Sequence, residues 1–301
     1  MKKVAAVVVT YNRKELLLEC ITALLGQNYE RLDIVLIDNA STDGTREFIE
    51  PFLSNEHIHY YNTGNNLGGA GGFNYGIKKA YEYGYDYFWL MDDDSIANKN
   101  ALKALMDAAT DLKDEFGFLC SNVRWLDGTP CKMNIPKIRS DWLEKADLVK
   151  NGIMSVEVAT FVGYLVQKRT VSEIGLPIKE FFIWSDDTNY SLRLAKDRPC
   201  YCILDSIIVH KMKTNTSTDI VTDNSDRIAR YYYSYRNKMY NARYEHKLSK
   251  YMTQLIRDTI HVICKSKHKL KKLYYMYKGF IKGCFFNPQI EYIFNLNTLD
   301  K

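Results

Sequence analysis

No apolar run in the chain approaches the ~18 residues that a membrane-crossing helix needs, so the sequence offers no transmembrane span. Proline is scarce, with 6, and the 16 glycines form no low-complexity stretch. That excludes a long linker, a fibrous repeat and a wholly disordered chain. The 7 cysteines are odd in number and scattered. In a chain large enough to bury a core without staples, they point to reduced thiols and a cytosolic compartment. Cys200 and Cys202, two apart in a strand-like run, face one side, but no His or Cys cluster joins them at ligand spacing. Met1-Lys2-Lys3 followed by Val4 to Val9 starts like a signal peptide. Its apolar stretch is too short and no small-residue cleavage site follows, so it reads as a strand.

What the chain does have is a globular balance, 46% hydrophobic and 26% charged over 301 residues. That suits one large domain, or one domain with an appendage. The aromatic share is high, 13% with 23 tyrosines. A ring with a polar tip suits sugar stacking, interfaces and membrane surfaces. The net charge of +5 hides an asymmetry. Residues 236–285 hold thirteen Lys and Arg against Glu245 and Asp258, a segment net of +11, while the first 235 residues sum to −5. An acidic body with a basic tail is a two-part organisation.

Val4–Val9 is a continuous apolar, largely β-branched run, as expected of a strand buried on both faces of a parallel sheet. Leu16, Leu17, Ile21, Leu24 and Leu25 fall at helical spacing within 14–26. Leu32–Ile37, His57–Asn62 and Tyr85–Met91 read as further strands. A short helix follows the turn Asn39–Gly44, and a longer one runs from a glycine-rich loop at 64–72 to about Tyr83. This alternation predicts an α/β sheet with right-handed crossovers. Beyond a helix at about 99–115 the pattern turns mixed. A strand is expected over Val156–Val166 with a pause at Gly163, a helix over Thr188–Lys196, and a strand over Cys202–Val209 ending at His210. Residues 213–226 are polar and read as a mobile loop. From Arg227 onward the chain is expected to be helical.

Ligands in an open α/β sheet bind beyond the carboxyl ends of its strands. Thr10-Tyr11-Asn12-Arg13 follows the first strand, Asp38-Asn39 the second, the glycine loop the third, and Asp92-Asp93-Asp94 the fourth. On an extended end Asp92 and Asp94 point to one side. Two carboxylates so close suit a hard cation, Mg2+ or Mn2+, or else form an exposed acidic turn. The apolar run Phe88-Trp89-Leu90-Met91 ahead of them favours the cation. The glycine loop either admits an anion close to the backbone at a helix N-terminus or is a tight turn. It matches neither the Walker loop nor the dinucleotide fingerprint. Ser185-Asp186-Asp187 is a second carboxylate pair, either a general base with a ligand-orienting neighbour or a simple N-cap. His210 is a structural histidine or, beside the acidic pair, a third ligand.

Together these segments resemble the inverting, nucleotide-sugar-dependent glycosyltransferases of family 2, with the GT-A fold. Val7-Val8-Val9-Thr10-Tyr11-Asn12-Arg13 is similar to that family's opening strand. Ile37-Asp38-Asn39-Ala40-Ser41-Thr42-Asp43-Gly44 is similar to its second signature, and Asp92-Asp93-Asp94 to its metal-binding Asp-x-Asp motif. The resemblance runs over about residues 3–212. It is closer to the galactofuranosyltransferase and rhamnosyltransferase branch through Asn66–Gly76, Trp89–Asp94 and Phe181–Tyr190. Relatives often carry Trp directly before the Asp pair; here that place is Ser185, with the tryptophan at Trp184.

The resemblance implies that Thr10, Arg13 and Asp38 hold the nucleotide, Asp38 accepting from a pyrimidine ring N–H. Asn66, Gly68 and Gly69 would approach ribose, diphosphate or donor sugar. Asp92 and Asp94 would bind Mn2+ or Mg2+ beside the nucleotide-sugar, with His210 completing the ligand set. Asp187 would be the catalytic base, Asp186 would contact acceptor hydroxyls, and Trp184 would stack on sugar. The implied reaction moves galactofuranose from UDP-galactofuranose, or rhamnose from dTDP-rhamnose. The acceptor would be a glycan or polyprenyl-linked carrier in cell-surface polysaccharide synthesis. A non-catalytic nucleotide-sugar-binding module is the competing class, and it has no need of Asp187.

The expected organisation is a GT-A catalytic domain at 1–226, its nucleotide-sugar half at about 1–98 and its acceptor half at about 99–226. A basic aromatic helical extension follows at 227–301. The extension reads as a peripheral element facing an anionic membrane surface or as a solvated cap, with nucleic acid not expected as a partner. Two acids against thirteen bases is lopsided for a solvated face, which mixes signs. A cytoplasmic protein, peripheral on the inner face of the cell membrane, is the expectation.

Overall fold

The computed structural model describes residues 1–224 and 226–293. Val4–Thr10 forms β1, and every residue of it is buried. Val4, Ala6 and Val8 enter one core layer, and Ala5, Val7 and Val9 the other. An apolar run without polar alternation demands this two-sided burial. On one side of β1, β2 (Leu32–Asp38) and then β3 (Ile58–Asn62) add in parallel; β4 (Tyr87–Asp92) adds in parallel on the other. The helices between these strands are α1 (Lys14–Leu25), α2 (Thr45–Ile49) and α3 (Gly68–Glu82). Up to Asp92, then, the elements fall close to the segments read from periodicity. Two glycines let α3 lie tight on the sheet. A Cβ at Gly72 would stand 2.6 Å from the Val9 side chain, and one at Gly76 would collide with Val7.

After Asp92 the chain order and the spatial order part. There follow β5 (Ser95–Ala97), α4 (Ala101–Asp111), β6 (Phe118–Arg124), β7 (Lys137–Ile138), α5 (Ala146–Lys150), β8 (Ile153–Val158), β9 (Tyr164–Gln167), α6 (Lys168–Ile174), α7 (Asp186–Ala195) and β10 (Cys200–His210). The ten-stranded sheet is ordered β3-β2-β1-β4-β9-β6-β10-β8-β7, with β5 paired to β10. β9 runs antiparallel to both its neighbours, and β6 and β10 are parallel. One expectation is corrected here, and one strand was not anticipated. The single strand at Val156–Val166 is two, β8 and β9, parted at Gly163, which takes φ +76° and donates its N–H to the Leu90 carbonyl. Central β6 carries no uniform apolar signal, because Ser121 and Asn122 interrupt it. Ser121 is satisfied internally by Ser206 and the Gly163 carbonyl.

The chain past Arg227 is helical, as expected, in α8 (Tyr231–Tyr244), α9 (Leu248–Lys265) and α10 (Lys269–Phe285), but residues 286–292 are irregular, and Ile293 is buried in a core layer of the sheet. These helices share a core of their own, including Tyr235, Met239, Tyr251, Leu255, Val262 and Met276. Residues 294–301 of the expected extension lie outside the described residues. The polar segment at 213–224 is a loop, as expected, and it is tied to the helical core. Ile220 is buried in the helical core, and the Val221 carbonyl accepts from Lys272 Nζ and Ser266 Oγ. All 7 cysteines are free, with Cys200 and Cys202 buried. No described helix is long and apolar enough to cross a membrane.

Candidate active site

Asp92 ends β4, and the chain turns through Asp93 and Asp94 into β5. Ser95 of β5 pairs antiparallel with His210 at the end of β10. The Lys211 N–H donates to the Asp94 carbonyl. This short pairing brings together side chains far apart in sequence. Ligand atoms of Asp92, Asp94 and His210 all lie within 4.8 Å of one another. Asp94 Oδ1 faces His210 Nε2 at 3.0 Å, and its Oδ2 accepts from Arg13 Nη1 at 2.6 Å. His210 Nδ1 lies 2.8 Å from Asn134 Oδ1, and the Asn134 amide donates to Thr160 Oγ1 at 2.8 Å, which fixes its oxygen as the acceptor.

Electrostatics here follow from burial and crowding. Burial, then the Asp94 charge, push Asp92 up to about 7. Burial opposes ionisation of Asp94, but His210 and Arg13 outweigh it and hold its pKa low. Burial pulls His210 down, but Asp94, Cys131 and Asp92 overcome it and raise the imidazole to about 10. The set fits a divalent cation. It offers two carboxylates with excess negative charge and an imidazole, whose far nitrogen is oriented by a second partner. Asp93 turns the other way. Its Oδ2 accepts from Thr10 Oγ1 at 2.8 Å and its Oδ1 from Arg13 at 3.3 Å, while burial lifts it to about 6. Thr10 and Arg13 therefore sit at the acidic triplet.

The turn after β2 is stitched to the first loop: Asn12 N–H donates to Ser41 Oγ, and Thr42 N–H to Asn12 Oδ1 at 2.7 Å. Asp38 is 1% exposed. Its oxygens accept from the Ser41 N–H at 2.8 Å and from Tyr60 Oη at 2.7 Å. Each oxygen keeps a second lone pair. Asn66 Oδ1 accepts the Gly68 N–H at 2.8 Å. Gly68 has φ +70° and lies so close to the Phe182 carbonyl that a Cβ would clash, whereas Gly69 faces open space. Much of the glycine loop thus forms the first turn of α3 and packs; Gly69 is the open approach.

The second acid pair stands on a constrained loop. Phe182, Trp184 and Ser185 take φ of +64°, +65° and +67°, each a conformation that costs ~1–3 kcal/mol for a non-glycine residue. α8 holds this loop. The Asn237 amide donates to the carbonyls of Phe181 at 3.0 Å, Ile183 at 3.1 Å and Trp184 at 2.8 Å. Asn241 donates to Ser185 O at 3.1 Å, and Arg236 to Glu180 O at 2.6 Å. The loop delivers Asp186 and Asp187 to the first turn of α7. Asp187 Oδ1 accepts the Thr188 N–H at 2.6 Å. Burial raises Asp187 to about 6, and burial with the Asp187 charge raises Asp186. The charge of Asp92 adds to this upward shift of Asp186. The Ala70 N–H donates to Phe182 O at 3.1 Å, joining the glycine turn to this loop. Trp184 packs against the C-terminal core, its ring centroid 5.2 Å from that of Tyr231.

Sequence reasoning missed Asp93 as an anchor, Asn134 as the partner of His210, and the Asn237–Asn241–Arg236 set. Asn134 ends a 3-10 turn of three residues, Lys132–Asn134, too short to show a periodicity. Arg236 was counted with the basic surface, yet it is buried against the loop; a buried Arg-Asn pair amid tyrosines was the available signal.

Residues 5–167 match the family model described as Glycosyl transferase family 2. Galactofuranosyltransferase GlfT1 of Mycolicibacterium smegmatis is 28% identical over 260 residues, covering 79% of this chain and 82% of its own. Galactofuranosyltransferase GlfT1 of Mycobacterium tuberculosis is 26% identical over 261 residues, with the same coverage, 79% and 82%. Among solved structures, residues 1–349 of S. aureus TarS superpose with a TM-score of 0.54 at 16% identity, covering 94% of this chain and 72% of that one. The same TarS segment in complex with UDP gives 0.54 at 15% identity, covering 95% and 72%. These two likenesses are of fold.

Proposed function

The chain belongs to glycosyl transferase family 2 and is a glycosyltransferase. From this premise we propose that it moves galactofuranose from UDP-galactofuranose, with inversion, onto a hydroxyl of a glycan or polyprenyl-linked acceptor. One observation carries the reading: ligand atoms of Asp92, Asp94 and His210 lie within 4.8 Å of one another beyond the strand ends, and a second, buried acid pair, Asp186 and Asp187, opens α7. The donor is supported by the two mycobacterial relatives, both galactofuranosyltransferases by name, and the nucleotide by TarS solved with UDP.

Asp92, Asp94 and His210 would hold Mn2+ or Mg2+, which supplies Lewis acidity toward the leaving diphosphate. Thr10 and Arg13, linked through Asp93, frame the nucleotide side, and Asp38 offers its remaining lone pairs to the base. Gly69 leaves room for phosphate or donor sugar at the start of α3. Asp187 takes the proton of the acceptor hydroxyl as its oxygen bonds the anomeric carbon and the bond to diphosphate breaks. Its raised pKa, about 6, keeps it ionised yet basic near neutrality. Asp186 orients acceptor hydroxyls, and Trp184 borders the acceptor edge. One displacement inverts the centre and needs no side-chain nucleophile. A polyprenyl-linked acceptor would be met at the inner membrane face by a peripheral protein.

The test is purified protein with Mn2+ or Mg2+ and a panel of nucleotide sugars, followed by nucleotide release. UDP-galactofuranose should be consumed best. Preference for dTDP-rhamnose would replace the donor, and full activity after exhaustive chelation would refute the metal assignment.

A further inference from the structure

Nearly half of the exposed large apolar side chains among the described residues lie on α9 and α10. On α9, Ile256, Ile260 and Ile263 are 57%, 53% and 50% exposed. Spacings of four and three put them on one helix face. On α10, Leu270, Ile281 and Phe285 are 85%, 55% and 83% exposed. Their spacings of eleven and four again mark one face. The opposite faces are already used, since Tyr251, Leu255 and Val262 of α9 and Met276 of α10 are buried in the helical core. Thr259 Oγ1 and Tyr277 Oη, each beside the apolar stripe of its own helix, lie 3.0 Å apart. The two stripes therefore adjoin. Soluble monomers rarely leave a contiguous apolar patch of this kind bare.

Charge selects what covers it. Lys271, Lys278 and Lys282, at spacings of seven and four, make an exposed row beside the α10 stripe, and Arg257 and Lys265 are exposed on α9. Of the two acids in this segment, Asp258 accepts a hydrogen bond from Tyr235 Oη at 2.9 Å and Glu245 pairs with Lys247. A second copy of the chain would bring the same positive charge against it. A neutral apolar partner would leave the lysines without counter-charge. Anionic headgroups over an apolar interior satisfy both features at once. We propose that the outer face of the α9–α10 hairpin lies in the plane of a bilayer rich in anionic lipid, with isoleucines and Phe285 in the acyl boundary and lysines at the headgroups. This gives the peripheral placement in the proposed function a defined surface, but it stands or falls without sugar transfer.

Vesicle co-sedimentation of the full chain tests it, with phosphatidylcholine alone against phosphatidylcholine mixed with phosphatidylglycerol, at low and high salt. Binding should require the anionic lipid and weaken with salt. Lys271→Gln/Lys278→Gln/Lys282→Gln should lower partitioning by about a hundredfold, from ~1 kcal/mol per lysine near the surface. Ile260→Glu/Phe285→Glu should lower it at least tenfold. Donor hydrolysis in solution should be unchanged in both variants, which reports folding. No binding, or equal binding to both vesicles, would overturn the proposal. So would an Ile260→Glu/Phe285→Glu variant that keeps vesicle binding and instead loses self-association in sedimentation. Absent sugar transfer with intact vesicle binding would refute the proposed function and leave this surface in place.

Discussion

Asp94, in the turn after β4, and Asp187, in the first turn of α7, are the same residue type, yet the fold treats them in opposite ways. Around Asp94 it gathers positive charge. Arg13 reaches Asp93 and Asp94, and His210 lies against Asp94. Around Asp187 and its neighbour Asp186 it places backbone N–H groups and apolar surroundings, and both carboxyls are shifted upward by burial. In the proposed roles, Asp94, which would stay ionised, is built beside cations, whereas Asp187, which would exchange a proton, is left desolvated. The difference is a prediction about which change removes what.

The largest effect should come from Asp94→Asn. It removes a ligand of the proposed cation and strips His210 and Arg13 of their shared partner. Transfer should fall by a thousandfold or more, since charge stabilisation of this kind is worth several kcal/mol. Thermal stability should fall too, because His210 loses its counter-charge and Arg13 keeps only Asp93. Steady-state kinetics with Mn2+ and a melting curve read both. A variant that is fully active would break the comparison at its first half.

Asp187→Asn should cost about 10²–10⁴-fold in kcat, the range for a general base, while UDP binding measured by calorimetry persists. Here stability should move the other way. A carboxyl raised to about 6 from an ordinary value near 4 costs the folded state stability above pH 6, where it must be ionised. A neutral amide removes that cost, so the melting temperature should rise. The same pKa sets the pH profile. The base form is lost as pH falls through about 6, so kcat/KM of the wild type should drop about tenfold per unit below it. An unchanged profile in Asp187→Asn would take the base role away from this residue.

Asn134→Ala probes the support of the first group. With the amide gone, His210 Nδ1 loses its acceptor and the ring its orientation. Apparent Mn2+ affinity should weaken about 10–100-fold, while activity recovers at saturating Mn2+. Failure to recover would mean that Asn134 does more than orient.

What could be read in advance follows the same divide. β1, β2 and β4 are legible because each is an apolar run largely buried on both faces, β3 through its Ile and Tyr residues although it is only half-buried, and the motifs sit at their ends. Asp92, Asp94 and His210 were grouped on sequence, but the Ser95–His210 pairing that joins them was not readable, since β5 has only three residues and its partner arrives much later in the chain. β6 and the β8–β9 break were hidden by internal serines and by a glycine whose role is its φ. Asp38 and Trp184 were identified, though not the internal partners that the fold gives them, because Tyr60 and Tyr231 reach them only through tertiary packing.

Asn237 is the least visible of these residues and sharpens the second half of the comparison. It is fully buried and spends one amide on three carbonyls of the loop that carries Asp186 and Asp187. Three consecutive-region residues at positive φ do not hold such a shape alone. Asn237→Ala would leave buried carbonyls unpaired, at ~1–3 kcal/mol each, and let the loop relax. UDP binding, which the proposed function assigns to Thr10, Arg13 and Asp38, should stay near wild type, while kcat falls about tenfold. Asn237→Asp, nearly the same in shape but unable to donate when ionised, should behave like alanine, and that pairing separates lost hydrogen bonds from lost volume. If both variants lower UDP affinity and kcat together, Asn237 supports the whole fold; if kcat alone moves, a helix from the basic tail sets the geometry of the base.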